Sequence, residues 1–105
     1  MDIRRRLPNR RACSTFSFEC SGLRYSATIA RFSDGSVAEI FLGNAKAGSH
    51  SDSAAKDSAV VCSLALQHGV PLETIRRALL RDSHGRASSP LGVALDLLAA
   101  GGKAT

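Results

Sequence analysis

The sequence predicts an α+β fold, in which a small three-stranded antiparallel sheet (a meander) is followed by two or three helices. Apolar and polar residues alternate with period two over residues 12–42, with glycine-containing turns between the segments. From residue 59 onward the apolar residues recur at helical spacing instead. Strands followed by helices are typical of an α+β domain. We expect a basic arm over residues 1–11, one domain over 12–100 and a frayed tail over 101–105.

The three strands are predicted around two turns. Ser21-Gly22 separates the first two strands, and Asp34-Gly35 favours a tight hairpin turn before a third strand over residues 37–42. Every second residue of the three strands is apolar: Phe16, Phe18, Cys20, Tyr25, Ala27, Ile29, Ala38, Ile40 and Leu42. One buried face is therefore expected. A Gly/Ser-rich loop over residues 43–53 follows, and its last residues, 51–53, are of the types that cap helices.

The helices are predicted from apolar periodicity and from their end signals. Residues 59–66 are apolar except for Ser63, which predicts a core helix that is buried on all sides. Gly69 suits the end of that helix, and Pro71 suits the first position of the next. Pro90 is expected to open a last helix, which ends at Gly101.

Positive charge is concentrated at the start of the chain. Residues 1–11 contain five arginines and one aspartate, a net charge of +4, and the whole chain carries +5. Clustered guanidinium groups bind phosphate oxygens and release counterions from nucleic acid. The arm is either a solvated tail or a binding element for nucleic-acid or nucleotide phosphates, formed by Arg4, Arg5, Arg6, Arg10 and Arg11.

Lys46 is a further phosphate-binding candidate. It lies in the Gly-rich loop between the third strand and the core helix, where phosphate-binding loops occur. The loop lacks the order G-x-x-x-x-G-K-[ST] of a mononucleotide-binding loop, so a plain connection is the alternative.

The sequence nominates no catalytic residue, metal ligand or cofactor. Cys13, Cys20 and Cys62 form no C-x-x-C pair, and the three histidines lack the spacing that brings two imidazoles to one ion. No nucleophile has a base that the spacing positions beside it. The sequence leaves open whether the chain is an enzyme, and these observations favour a non-catalytic role. No apolar run reaches the roughly 20 residues of a membrane span, so we expect a cytoplasmic protein without a membrane partner.

The junction of the two central helices has the spacing of a DNA-binding helix-turn-helix. Ala65 allows the helices to approach, Gly69 makes the turn and Ile75 locks the second helix across the first. Arg76 and Arg77 would then lie on the outer face of a recognition helix. A tight helical hairpin needs the same residue types, so a structural role stays open.

Five short motifs follow one another along the chain: LPNRR (7–11), FSDG (32–35), AEIFL (38–42), KAG (46–48) and SLALQHGVPL (63–72). In this order and spacing they resemble the TSCPD domain family, the C-terminal domain of adenosylcobalamin-dependent (class II) ribonucleotide reductases. The resemblance covers residues 7–80. It implies framework roles for eight residues: Asp34, Gly35, Glu39, Phe41, Gly48, Gln67, Gly69 and Pro71.

The chain also departs from this family. The T-S-C-P-D motif is absent, and residues 11–15 read RACST in its neighbourhood. The catalytic barrel of the reductase is missing, and with it the radical-bearing cysteine, the redox cysteine pair and the cobalamin site. No C-x-x-C tail is present to deliver reducing equivalents. The resemblance therefore implies kinship with the reductase and not reductase activity by this chain.

From the resemblance we expect a stand-alone version of that C-terminal domain. It would be a non-catalytic binding or accessory module linked to deoxyribonucleotide synthesis and DNA replication, with ribonucleotide reductase as a partner. The alternative is a small basic nucleic-acid-binding protein that uses the arginine arm and the helix-turn-helix-like pair. A three-stranded sheet leaves its edges exposed, so a homodimer is also expected.

Overall fold

A computed structural model describes residues 3–7 and 13–101. Three strands come first: β1 (Cys13–Cys20), β2 (Leu23–Arg31) and β3 (Val37–Asn44). Three helices follow: α1 (His50–Gln67), α2 (Leu72–Ala78) and α3 (Pro90–Ala99). The strands pair antiparallel in the order β1-β2-β3. The predicted α+β fold, an antiparallel meander followed by helices, is confirmed.

The two turns of the sheet have different geometries. Ser21 and Gly22 both have positive φ, 52° and 79°, which is the conformation that joins twisted strands through two residues. The turn between β2 and β3 lies where the sequence predicts it, but only Gly35 has a positive φ there, 92°. Asp34 instead accepts the N–H of Ser36 at 2.9 Å. Backbone bonds also close the turn, since the N–H of Phe32 donates to the C=O of Ser36 at 2.8 Å and the N–H of Gly35 donates to the C=O of Phe32 at 2.9 Å. This turn is therefore not the two-residue type that Asp-Gly favours.

The predicted face of the sheet is buried. All nine alternating apolar residues of the three strands are at most 9% exposed. Helices α1 and α3 cover them with small and aliphatic side chains: Ala55, Ala59, Cys62, Leu66, Leu91, Ala94 and Leu95. Burial raises the pKa of the Cys62 thiol to about 11, because an apolar environment disfavours the thiolate. Cys62 is 3% exposed and is a core residue.

Helix α1 lies along the outer edge of β3 and bonds to it through side chains. Ser63 Oγ accepts the N–H of Ile40 at 2.9 Å and donates to the C=O of the same residue at 3.1 Å. Gln67 Nε2 donates to the C=O of Ala38 at 3.1 Å. In an antiparallel pair, every second residue of a strand turns its backbone N–H and C=O groups away from the neighbouring strand. The helix thus satisfies backbone groups that an edge strand would otherwise leave open.

The exposure of α1 differs from the prediction. The apolar pattern of residues 59–66 predicts burial on all sides, but Val60, Val61 and Leu64 are 55%, 67% and 40% exposed. The reason is the position of the helix: it runs beside the edge of the sheet, so only one of its sides meets β3 and α3. The prediction of a fully enclosed helix is wrong.

Helix boundaries also shift. The structure begins α1 at His50, after Ser49 as N-cap, whose Oγ accepts the N–H of Asp52 at 3.2 Å. The helix therefore starts before the predicted cap residues 51–53. Pro71 is the residue that precedes α2 and not its first residue. Pro90 opens α3 as predicted.

Candidate functional site

The first described segment, residues 3–7, lies against the end of α1. The N–H of Arg5 donates to the C=O of Gln67 at 2.6 Å, and Arg4 Nε donates to Gln67 Oε1 at 2.5 Å. The Arg5 guanidinium lies over the ring of Phe32, 3.8 Å from its centroid, and donates to Asp34 Oδ2 at 3.0 Å. Two of the predicted phosphate-binding arginines therefore have partners within the chain.

The arm contains three further arginines. Arg6 is exposed. Arg10 and Arg11 lie outside the described residues. A contact of these three side chains with phosphate stays a prediction.

The arginines of α2 share carboxylate partners. Arg77 Nε lies 2.9 Å from Glu73 Oε2, and Arg76 Nε lies 3.5 Å from Glu73 Oε1 and 3.6 Å from Asp96 Oδ1. Helix α2 has seven residues. As a recognition helix it would therefore be short, and its positive charge would be partly balanced by its own glutamate.

A carboxylate of the chain occupies the loop that contains Lys46. Asp52 Oδ1 accepts the N–H of Asn44 at 2.9 Å, and Asp52 Oδ2 accepts the N–H of Gly48 at 3.0 Å and the ammonium of Lys56 at 2.9 Å. The ammonium and these N–H groups lower the pKa of Asp52 to about 2. The backbone donors that a phosphate would need are thus bound to an internal anion, and Lys46 is exposed beside them.

The residues that the resemblance assigns to the framework occupy turns, helix ends and the contact of α1 with β3. Three are glycines with positive φ: Gly35 (92°), Gly48 (82°) and Gly69 (94°). Gln67 is 1% exposed, and Pro71 precedes α2. Hydrogen bonds from Ser36 hold the pKa of Asp34 below its usual range. Glu39 is half-buried, whereas Phe41 is 49% exposed.

An apolar groove lies between β3 and α1. Its volume is about 380 Å³. Three exposed apolar side chains line it, namely Phe41 of β3 and Val60 and Leu64 of α1. Arg4 and Lys56 also line it. Exposed apolar side chains that share one concave surface are typical of a contact with another molecule. We refer to this feature as the α1–β3 groove.

The apolar pattern of α1 does not predict the α1–β3 groove, because it predicts that Val60 and Leu64 lie in the core. A signal for it is nevertheless present. A helix that is apolar on all sides needs neighbours on all sides, and a three-stranded sheet with one or two further helices offers too few. The surplus apolar residues must then lie on the surface.

Two kinds of feature do not occur in the described part of the chain. Residues 3–7 and 13–101 contain no group of three or more His, Cys, Asp or Glu side chains that could hold a metal ion. None of the helices among them combines the length and the apolar character needed to cross a membrane.

The chain is similar to one part of a much longer enzyme. Over 70 residues, 67% of this chain, it is 37% identical to the vitamin B12-dependent ribonucleotide reductase of Agrobacterium fabrum (strain C58 / ATCC 33970). The matched segment spans 6% of the length of that protein. No family model matches the chain, and no solved structure matches it significantly. The chain therefore contains a region related to part of a vitamin B12-dependent ribonucleotide reductase.

Proposed function

We propose that this chain is a TSCPD-like, non-catalytic binding module whose partner is a ribonucleotide reductase, and that it serves deoxyribonucleotide synthesis. The observation that supports this proposal best is the α1–β3 groove. It places three exposed apolar side chains, Phe41, Val60 and Leu64, on the elements that the reductase-like motifs AEIFL and SLALQHGVPL help to form.

The comparison gives this groove a candidate occupant. The related segment is 6% of the A. fabrum reductase, so nearly all of that protein lies outside the segment. A domain within a long chain commonly packs its exposed apolar patch against the rest of the polypeptide. By the same logic, the groove of this chain binds an apolar surface of a reductase.

The geometry of the groove suits an apolar insert. Val60 and Leu64 are four residues apart, so they stand one above the other on the same side of α1. Phe41 lines the β3 side of the same cavity. An aromatic or aliphatic side chain placed between them would bury apolar area on both of its sides, which is where binding energy concentrates in protein interfaces.

The test compares two adjacent valines. Purified, tagged protein is used to capture the vitamin B12-dependent ribonucleotide reductase of the same organism. Val60→Asp places a carboxylate in the groove, which must be desolvated on binding, and we expect a loss of affinity of about tenfold or more. Val61→Asp is the matched control, because Val61 is 67% exposed on the same helix but does not line the groove. It should capture the reductase as the wild type does.

Two outcomes would contradict the proposal. One is that the wild-type protein captures no reductase, and the other is that Val60→Asp and Val61→Asp capture it equally. The nucleic-acid alternative predicts something different: binding to DNA or RNA that weakens steeply with salt, is lost when residues 1–11 are deleted, and is unaffected by Val60→Asp.

A further inference from the structure

The outer edge of β1 has open backbone groups. Because Cys20 and Leu23 close a two-residue hairpin, they form a hydrogen-bonded pair, and the pairs then alternate along the strand. Thr15, Ser17 and Glu19 consequently turn their N–H and C=O groups away from β2. No hydrogen bond from the described part of the chain reaches these outward groups. All three residues are exposed.

The opposite edge of the sheet, on β3, is covered by a helix. On β3 the outward groups of Ile40 and Ala38 bond to Ser63 and Gln67 of α1. A helix with polar side chains at the right spacing thus covers one edge. Nothing comparable among the described residues covers the edge of β1.

The edge of β1 also lacks the features that usually prevent pairing with another strand. Its sequence, CSTFSFEC, contains no lysine or proline, and its eight pairs with β2 run without a bulge. Its one charged residue is Glu19. The Oε2 atom of Glu19 lies 3.3 Å from the guanidinium nitrogen Nη1 of Arg24 on β2, so Arg24 partly balances the charge of Glu19. An eight-residue edge of this kind is ready to accept a further strand.

We propose that the strand it accepts is β1 of a second copy of this chain. The two strands run antiparallel about a two-fold axis at Phe16, and two sheets of three strands join into one of six. Thr15 then lies opposite the partner subunit's Ser17, and Ser17 lies opposite the partner subunit's Thr15. The open groups of Thr15 and Ser17 are paired in this register, and no two glutamates face each other.

A cavity beside this edge supports a protein occupant. It has a volume of about 830 Å³ and lies between the end of β1 and α3. Among its lining residues, Val93 and Leu97 of α3 are apolar and only half-buried, next to Cys20 of β1. A second copy bound at the edge would cover these side chains as well, which adds apolar burial to the hydrogen bonds of the strands.

The first test measures the mass of the protein in solution by sedimentation equilibrium. The 11.0 kDa chain should sediment as a dimer. Ser17→Pro removes the backbone N–H of residue 17, which points away from β2, so the hydrogen bonds between β1 and β2 are kept. We expect the mass of this variant to fall to that of one chain. Ser17→Ala keeps the N–H and should remain a dimer. Circular dichroism establishes that each variant is folded.

A second test does not depend on proline. In a Cys13→Ser background, Thr15→Cys protein is mixed with Ser17→Cys protein and oxidised. Opposite residues of a hydrogen-bonded pair have Cα atoms about 5.5 Å apart, within the range of about 4.4–6.8 Å that a disulfide spans. The mixed disulfide should therefore form in clear excess over the disulfide of Thr15→Cys with itself.

A single-chain mass for the wild type, or a folded Ser17→Pro variant that remains a dimer, would overturn the proposal. A predominance of the Thr15→Cys self-disulfide would overturn the register. The edge of β1 and the α1–β3 groove are separate surfaces, so capture of the reductase and dimer formation succeed or fail independently.

Discussion

At the scale of single residues, Asp52 shows how one buried carboxylate organises a loop. Its side chain is 2% exposed, yet it binds three donors, the N–H groups of Asn44 and Gly48 and the ammonium of Lys56. Donors to an ionised carboxylate stabilise the charged form, and its pKa is accordingly lowered from 3.8 to about 2. The same contacts join the end of β3 to the start of α1.

The lowered pKa of Asp52 predicts how the stability of the protein depends on pH. A carboxyl group with a lowered folded pKa contributes stability that is present above its unfolded pKa and is lost as the pH falls through its folded pKa. For Asp52 this window runs from about pH 4 down to about pH 2. The free energy of unfolding, measured in urea across this range, should therefore fall less steeply in Asp52→Asn than in the wild type.

At neutral pH, Asp52→Asn should be the less stable protein, because the amide cannot replace the charge-assisted bonds. Asp57→Asn is the control, since Asp57 is an exposed residue of the same helix. In Asp57→Asn the free energy of unfolding should fall between about pH 4 and pH 2 as steeply as it does in the wild type. If the free energy of unfolding falls equally steeply with pH in Asp52→Asn and in the wild type, the contacts of Asp52 are not the source of this pH dependence.

At the scale of secondary-structure elements, α1 carries a mixed inner surface. Ala55, Ala59 and Cys62 face the core, whereas Ser63 and Gln67 face the backbone of β3. A serine inside an apolar helix looks like a local inconsistency in the sequence. Its hydroxyl, however, can both donate and accept, so it satisfies the N–H and the C=O of one residue at once. This explains why a polar residue is tolerated there.

Replacement of Ser63 tests this role. Ser63→Ala leaves the outward N–H and C=O of Ile40 without their partner in a buried site, and we expect the free energy of unfolding to fall by about 1–3 kcal/mol. Ser58→Ala is the matched control in the same helix, because among the described residues Ser58 Oγ bonds only to the C=O of Ala55, one turn away. Since alanine favours helices, that change should be neutral or slightly stabilising. Equal effects of the two substitutions would contradict the role of Ser63.

At the scale of the whole molecule, the N-terminal segment packs against the rest of the chain. Arg5 contacts two distant parts of the chain: its N–H bonds to the end of α1, and its guanidinium contacts Phe32 and Asp34 in the turn after β2. We therefore propose that the folded unit includes residues 3–7 in addition to the domain expected over 12–100.

Substitution of two neighbouring arginines tests whether residues 3–7 are a packed segment or a solvated tail. Arg5→Ala removes a cation–π contact and an ion pair at a partly exposed site, and the expected loss is about 0.5–2 kcal/mol in the free energy of unfolding. Arg6 is exposed, and Arg6→Ala should change the stability by less than about 0.5 kcal/mol. Thermal or urea unfolding of both variants provides the comparison. If both changes are neutral, residues 3–7 contribute nothing to the fold.

Much of the fold follows from local pattern, whereas little of the candidate site does. The alternation at Phe16 and Phe18 and the glycine at position 22 depend on neighbours in sequence, so their places could be predicted. The partners of Arg4 and Arg5 could not. Gln67 lies 63 residues from Arg4, and Asp34 lies 29 residues from Arg5; no spacing rule connects such positions. From the charge alone, the arm was expected to be either a solvated tail or a phosphate-binding element, whereas two of its arginines contact the chain itself.

The sequence by itself determined the order of strands and helices, the face that each strand buries, and the likeness to a ribonucleotide reductase. These depend on periodicity, turn residues and motif order, which are properties of neighbouring residues. Only the tertiary structure decided that α1 lies beside the edge of β3, and hence that Val60 and Leu64 line a groove and that the β1 edge remains open. Periodicity identifies which residues share a face, but what covers that face depends on how the elements pack.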